Sequence, residues 1–224
     1  GLQQGTALRE KIQSATTRLA ELDAFRLMQP RWLPYRAFRA LSAQKARTYM
    51  RRALAHGDDA WQRRLIGISR GAGVSPGMIC LLNALEPALS SVRDCTQMPA
   101  GHACTAVAVR GSRSATGEPI IARNFDYRPL VQPLYTMRRE RPEHGFQSLI
   151  FSAAPLAGAV DGVNERGLCI TYNYAYAMDA HKPAPPISMR ISEALRQCST
   201  VSQAAELISS RTRWGAGMLM LAAS

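Results

Sequence analysis

Lysine is scarce in this sequence, aromatic residues are few, and no long hydrophobic run interrupts it. The lysines are Lys11, Lys45 and Lys182, yet the formal charge is +12 over 224 residues, so arginine carries almost all of it. Arg18, Arg26, Arg39, Arg47 and Arg63 are dispersed along helical patterns, with only short doublets at Arg51-Arg52 and Arg63-Arg64. Such a distribution reads as solvated helix faces. Without aromatic–basic interleaving, zinc spacing or a helix-turn-helix pattern, it does not argue for nucleic acid. No apolar stretch approaches the ~18–20 residues that span a bilayer, and no charged-then-apolar signal segment opens the chain. The expectation is a soluble bacterial-type protein without a membrane span, with the cytoplasm favoured over the periplasm. The chain starts at Gly1 rather than Met, which is consistent with removal of an upstream piece.

Paired cysteines are lacking as well. The five are Cys80, Cys95, Cys104, Cys169 and Cys198, an odd number without CxxC spacing, which argues against a disulfide framework or a zinc site. Cys80 lies among Met78, Ile79, Leu81 and Leu82, and Cys169 between Leu168 and Ile170, so both read as small buried apolar residues. Cys198 ends a helical pattern and reads as structural. The four histidines, His56, His102, His144 and His181, form no Cys–His motif. No metal or organic cofactor is implied.

What is present is a change of pattern at Cys104. Before it, Leu8, Ile12, Leu19, Leu22 and Phe25 predict a helix between Thr6 and Met28, interrupted by Pro30 and Pro34. A second helix is predicted over Ala37–Ala55. A third runs from Asp58 or Asp59 through Ile68 and stops at Gly71 and Gly73; a fourth covers Gly77–Leu89, capped by Ser75-Pro76. Residues 91–101 have no periodicity and read as an exposed loop, where processing would be tolerated.

From Cys104 the period shortens. Cys104–Arg110 and Pro119–Phe125 predict a hairpin, and Leu134–Arg139 with Phe146–Ala153 a second strand pair. Ala157–Val163 and Leu168–Tyr174 form a third, joined by the tight turn Asn164-Glu165-Arg166-Gly167. Ile187–Gln197 and Val201–Ser209 are predicted helices, the second capped by Thr200, and Gly217–Ala222 a strand. A helical layer, then strands, then helices point to an α+β fold. The expected division is a helical part over residues 1–103 and a part over 104–224 that starts at the cysteine, together one structural domain.

Cys104 follows two small residues and His102 and opens a strand, which suggests a latent N-terminal nucleophile freed by cutting after Ala103. A cysteine becomes a useful nucleophile when something accepts its proton and holds its thiolate. After such a cut the residue's own α-amine, with an ordinary pKa of ~7.7–8.0, serves as the base and no histidine is needed. Arg123 and Asp126 close the second strand of the hairpin, whose adjacent ends bring them near Cys104. Asp126 would orient the amine and Arg123 would stabilise the thiolate. Strand alternation puts Arg123 and Phe125 on one face and Asn124 and Asp126 on the other, so a turn or bulge at Asp126 is required for both to enter one pocket. The competing reading of the pair is a surface or structural ion pair.

Cys104-Thr105, the stretch Gly117-Glu118-Pro119-Ile120-Ile121-Ala122-Arg123-Asn124-Phe125-Asp126, and Gly162-Val163-Asn164-Glu165-Arg166-Gly167-Leu168 with Asn173 together resemble the acyl-coenzyme A:6-aminopenicillanic acid acyltransferase family. That family is similar to the choloylglycine hydrolases and penicillin V acylases of the N-terminal nucleophile superfamily. Gly1-Leu2-Gln3-Gln4-Gly5 and Gly71-Ala72-Gly73-Val74-Ser75 resemble the family's prosegment. The resemblance implies an αββα sandwich made as a precursor that cleaves itself between Ala103 and Cys104. It implies Cys104 as nucleophile, Arg123 and Asp126 as its supporting pair, and Asn173 as a contributor to the oxyanion hole. Asn164 is expected to shape its loop, with direct catalysis as the alternative. Tyr127, Phe151 and Tyr172 are candidates for an acyl pocket, with core packing as the competing role of each.

The family extends beyond a strand like Gly217–Leu221, and a later asparagine there donates to the oxyanion. The chain ends at Ser224, so the expected sandwich is incomplete at its C-terminus, and association with a missing portion or a second copy is plausible. The leading reading is a self-processing enzyme acting on a small acyl amide or thioester through an acyl-Cys104 intermediate. The alternative is an inactive interaction module that binds an acidic partner through its arginine-rich helical face.

Overall fold

Hydrophobic spacing makes the chain before Cys104 helical, and two local exceptions decide how those helices pack. The computed structural model describes residues 1–55, 59–90, 104–126, 129–175 and 183–223. The helices are α1 (Leu2–Ala7), α2 (Arg9–Arg18), α3 (Asp23–Leu27), α4 (Tyr35–Ala53), α5 (Ala60–Ala72) and α6 (Pro76–Ser90). The single helix expected over Thr6–Met28 is therefore three, joined by a short 3-10 turn at Leu19–Glu21. The break before α3 comes where Leu22 takes an extended backbone with φ −83° and ψ 101°. That turn buries Leu22 and directs Phe25 into the core, its ring 4.8 Å from that of Phe38.

The other exception is Gly71, which does not stop α5. The helix continues to Ala72 and ends at Gly73, in the left-handed conformation at φ 67° that glycine adopts without a Cβ clash. Gly71 instead lets α1 cross α5 backbone to backbone. A Cβ on Gly71 would fall 2.5 Å from the Leu2 carbonyl oxygen and 2.6 Å from the Thr6 nitrogen. On the facing helix, a Cβ on Gly5 would meet the Ile68 carbonyl oxygen at 2.5 Å. The start of α6 matches expectation more closely, with the Met78 N–H reaching the Ser75 hydroxyl at 3.3 Å.

After Cys104, strands β1 (Cys104–Val109) and β2 (Ile120–Phe125) form a two-stranded antiparallel hairpin. Strands β3 (Tyr135–Glu140), β4 (Ser148–Ala153), β5 (Asp161–Asn164), β6 (Cys169–Ala175) and β7 (Ala216–Ala222) form one antiparallel sheet in that order. The turn between β5 and β6 closes with the Asn164 N–H on the Leu168 carbonyl at 3.0 Å, and Gly167 at φ 78° makes it possible. Helices α7 (Ile187–Gln197) and α8 (Val201–Ser210) lie between β6 and β7 in sequence. The Thr200 hydroxyl caps α8, accepting from the Gln203 N–H.

Alternation along the strands gives the sheet two differently covered faces. Ile150 and Ile170 point to α7 and α8 and share a core with Ile187, Ile191, Leu195 and Ile208. The opposite face carries Phe151 and Asn173 and receives the β1–β2 hairpin, which packs on β6 and β7. The N-terminal helices build their own core, which reaches Leu134, Ala154, Ala157 and Met189. Side chains tie the two parts together. Gln4 donates to the Ala154 and Leu156 carbonyls at 3.0 and 2.9 Å, and the Trp61 indole donates to Glu193 at 2.9 Å. The mixed helix and sheet content makes the fold α+β. Among the described residues no single helix is long and apolar enough to cross a membrane.

The glycine crossing makes a direct prediction. Gly71→Ala forces α1 away from α5 and should cost about 1–3 kcal/mol, the range for overpacking a tight contact. Gly117→Ala is the control, because its Cβ meets nothing within 4 Å and only the φ of 77° opposes it. Urea unfolding of both variants decides the matter: an equal or smaller loss for Gly71→Ala would mean that the crossing is not tightly packed.

Candidate active site

The β1–β2 register pairs Cys104 with Phe125 and Ala106 with Arg123. Directly paired residues share a face, so Cys104, Arg123 and Phe125 all project toward the large sheet. Arg123 lies over the Phe125 ring, with its guanidinium carbon 4.4 Å from the centroid. Its Nη2 reaches the Cys104 sulfur at 3.3 Å. The cation is thus supplied by the strand that pairs with the cysteine's own strand.

Arg123 is nearly buried, its side chain 5% exposed, and burying a charge is costly unless it is paired and hydrogen-bonded. Three groups on the large sheet do this. Asp161 Oδ2 accepts from Nη1 at 2.6 Å, Asn173 Oδ1 accepts from Nε at 3.1 Å, and the Tyr172 carbonyl accepts from Nη2. Asp161 in turn is held by the Tyr172 N–H, which donates to Oδ1 at 3.0 Å. Burial pushes the Asp161 carboxyl above its ordinary value, and the Tyr172 N–H and Arg123 pull it back. Because Asn173 turns its oxygen to Arg123, its amide N–H groups are the end left to donate elsewhere.

Two further groups surround this cluster. Tyr135 starts β3, and burial pushes its hydroxyl up to about 12, with Cys104 adding to the rise and Arg123 opposing it. That hydroxyl is buried without a hydrogen-bond partner. Tyr135 also stacks in a triangle with Phe125 and Phe151, at centroid distances of 5.2, 5.3 and 5.5 Å. The same three rings line an apolar cavity of about 110 Å³, closed on its far side by Leu19, Leu22 and Leu82 of the helical layer. Tyr172 alternates away from Arg123, and its hydroxyl donates to Glu86 of α6 at 2.6 Å.

Of the residues expected from sequence, Cys104, Arg123 and Asn173 come together. Asp126 does not join them. The strand keeps regular register through Phe125 without a bulge, so Asp126 follows the Asn124 face and accepts from the Asn124 amide at 2.9 Å, exposed. Asn164 is 4% exposed and its amide is fully used in the turn, donating to the Leu195 and Cys198 carbonyls and accepting from the Arg166 and Leu168 N–H groups. Phe151 lines the cavity. Tyr172 is 3% exposed and packs in the core, contributing its backbone to Arg123. Ala103 and Tyr127 lie outside the described residues.

Sequence reasoning missed Asp161, Tyr135 and Glu86. For Asp161 and Glu86 a signal existed: each is the lone carboxylate in an apolar stretch, Ala153–Val163 for one and Pro76–Ser90 for the other. A carboxylate placed there must find a buried partner. Tyr135 had no such mark.

Residues 113–223 match the family model of the acyl-coenzyme A:6-aminopenicillanic acid acyl-transferases. The matched segment contains Arg123, Asp161, Asn173 and the Asn164 turn, and it begins after Cys104. No curated protein matches the chain.

The buried carboxyl of α6 gives a pH test. Burial holds Glu86 above its ordinary value of 4.5, while the Tyr172 hydroxyl and Arg123 oppose the rise. Above that ordinary value the folded chain keeps a proton that the unfolded chain has lost, so stability falls as pH rises toward the folded pKa. Glu86→Gln retains an acceptor for Tyr172 but does not titrate. Unfolding midpoints in urea between about pH 4 and pH 8 should therefore decline less steeply for Glu86→Gln than for the wild type. Parallel profiles would exclude a raised Glu86 as a source of the pH dependence.

Proposed function

We propose, from the premise that this chain belongs to the acyl-coenzyme A:6-aminopenicillanic acid acyl-transferase family over residues 113–223, that it is a self-processing cysteine enzyme of the N-terminal nucleophile type. It cuts its own chain between Ala103 and Cys104. It then hydrolyses amides or thioesters, or transfers their acyl groups, through an acyl-Cys104 intermediate. The observation that carries this reading is the 3.3 Å approach of Arg123 Nη2 to the Cys104 sulfur, with the guanidinium held in place by Asp161, Asn173 and Tyr172.

The chemistry follows from those contacts. The Cys104 thiol gives its proton to the α-amine freed by processing, and the thiolate forms beside a fixed positive charge. Sulfur attacks the acyl carbon, and the carbonyl oxygen becomes an oxyanion to which Asn173, its amide oxygen taken by Arg123, offers its N–H groups. Collapse of this intermediate expels the amine or thiol leaving group, which takes the proton from the Cys104 ammonium. Water or an acceptor amine then loses a proton to the α-amine and attacks the thioester, which releases the acyl product and restores the thiol. Asp126 would orient the new ammonium only by leaving the Asn124 amide and turning to the Cys104 end of the hairpin.

The apolar cavity behind Phe125, Tyr135 and Phe151 suits the acyl group. Its volume of about 110 Å³ is somewhat below the ~150 Å³ of an engineered apolar cavity that accepts benzene, so a compact acyl group is favoured over a long chain.

Intact-mass measurement on purified protein tests the reading. Wild type should yield a fragment beginning at Cys104, whereas Cys104→Ala should stay whole. Arg123→Ala should slow labelling of Cys104 by a thiol-reactive acyl probe by about 10²–10³, the loss typical of one electrostatic contact in an active site. A wild-type chain that stays uncut and takes no label on Cys104 would sink the proposal.

A further inference from the structure

A second cavity runs along β3 from Thr136 to Glu140 and shares no lining residue with the apolar cavity beside Tyr135. It has a volume of about 470 Å³ and is lined by α1 and α5 on one side and by β3 and α7 on the other. Five of its lining residues are arginines: Arg64, Arg138, Arg139, Arg141 and Arg196. The one carboxylate among them is Glu140.

The donors in this groove outnumber their acceptors. Arg64 Nη2 bonds to Glu140 Oε1, and Arg138 Nη2 stands 3.6 Å from the same oxygen. The Arg138 side chain is 9% exposed, and its Nη1 and Nη2 donate to the carbonyls of Leu156 and Gly158 at 3.0 and 3.3 Å. Its Nε has no acceptor. Neither has Arg64 Nε, and the Ser192 hydroxyl is also buried without a partner. Among the described residues six buried side-chain polar atoms are left in this condition, and three of them belong to this one groove. Folded proteins rarely tolerate such groups, and here all three can donate. Arg138 is also pushed down to about 10, first by burial and then by Arg64, with Glu140 offsetting only part of the effect.

We propose that this groove is a binding site for a polyvalent oxyanion of the phosphate class, held by Arg64, Arg138 and Ser192. Phosphate oxygens supply acceptors for the groove's guanidiniums, a small shift of Arg64, Arg138 and Ser192 toward the anion would pair the three buried donors, and its charge offsets the arginine excess. A monovalent carboxylate offers less of both. The cavity is roomier than a bare oxyanion, and Trp61 and Phe146 in its lining give apolar surface for an attached organic group. The anion would bridge α5 to β3 and α7, tying the N-terminal helices to the sheet. Binding therefore raises stability and does not depend on the chemistry at Cys104.

Calorimetry and thermal unfolding of the full chain test this with pyrophosphate, inorganic phosphate and adenosine diphosphate, against sodium chloride at equal ionic strength. A saturable heat is expected, with a midpoint rise of about 5–10 °C at ligand roughly 100 times Kd. Sodium chloride should give neither. Adenosine diphosphate binding more tightly than pyrophosphate identifies a phosphorylated organic ligand; the reverse order identifies the free anion. Arg64→Gln should weaken binding about 10–100-fold. Ser192→Ala should weaken it too while leaving the unliganded midpoint unchanged or higher, because it deletes an unsatisfied hydroxyl. Cys104→Ala should bind as wild type does. The proposal is overturned if no saturable binding occurs, or if the stabilisation persists undiminished in both groove variants.

Discussion

A buried guanidinium sets the terms for the middle of this protein. Arg123 sits on a two-stranded hairpin too small to bury it, so the hairpin must dock on a surface that can satisfy the charge. Strands β5 and β6 of the large sheet provide that surface, with Asp161 for the charge and Asn173 and the Tyr172 carbonyl for the remaining N–H groups. Removing Asp161 would leave an uncompensated buried cation, the costly way to break such a pair. The arrangement that holds the sheet and hairpin together is also the one that presents a fixed positive charge to the Cys104 sulfur.

Around this pair the layers have distinct duties. Helices α7 and α8 fill the far face of the sheet and carry no group of the cluster; they keep β4, β5 and β6 in register. The N-terminal helices do more. Glu86 of α6 receives the Tyr172 hydroxyl, and Leu19, Leu22 and Leu82 complete the apolar cavity whose other wall is Phe125, Tyr135 and Phe151. The helical layer thus shapes the pocket without supplying a nucleophile. Its close approach depends on glycines at the α1–α5 crossing and on polar ties such as Gln4 and Asn83, which reach the loop after β4.

Much of the order of elements was legible because its signals are local. Ser75-Pro76 and Thr200 announce helix starts, Gly167 permits the β5–β6 turn, and period-two runs mark the strands. Gly71 was misleading for a physical reason. A glycine near a helix end reads as a stop, whereas here its missing Cβ serves the neighbouring helix, a contact that the local pattern does not contain. Asp126 illustrates the same limit from the other side. Alternation already set it opposite Arg123 unless a turn or bulge intervened, and whether one does is settled by the register of the hairpin, which stays regular through Phe125.

The sequence by itself determined that Cys104 and Arg123 would be neighbours, because a short hairpin leaves little freedom in which residues face each other and strand alternation puts both on one side. It also determined the Asn164 turn and the alternation that turns Asn173 to the hairpin face. Only the tertiary structure decided that Asp161 is the carboxylate on Arg123, that Tyr135 stacks on Phe125 of the hairpin, and that Glu86 reaches Tyr172. Each of these depends on which surfaces meet when hairpin, sheet and helices pack. A buried charge constrains that meeting by requiring some partner, but its own position in the chain does not say which.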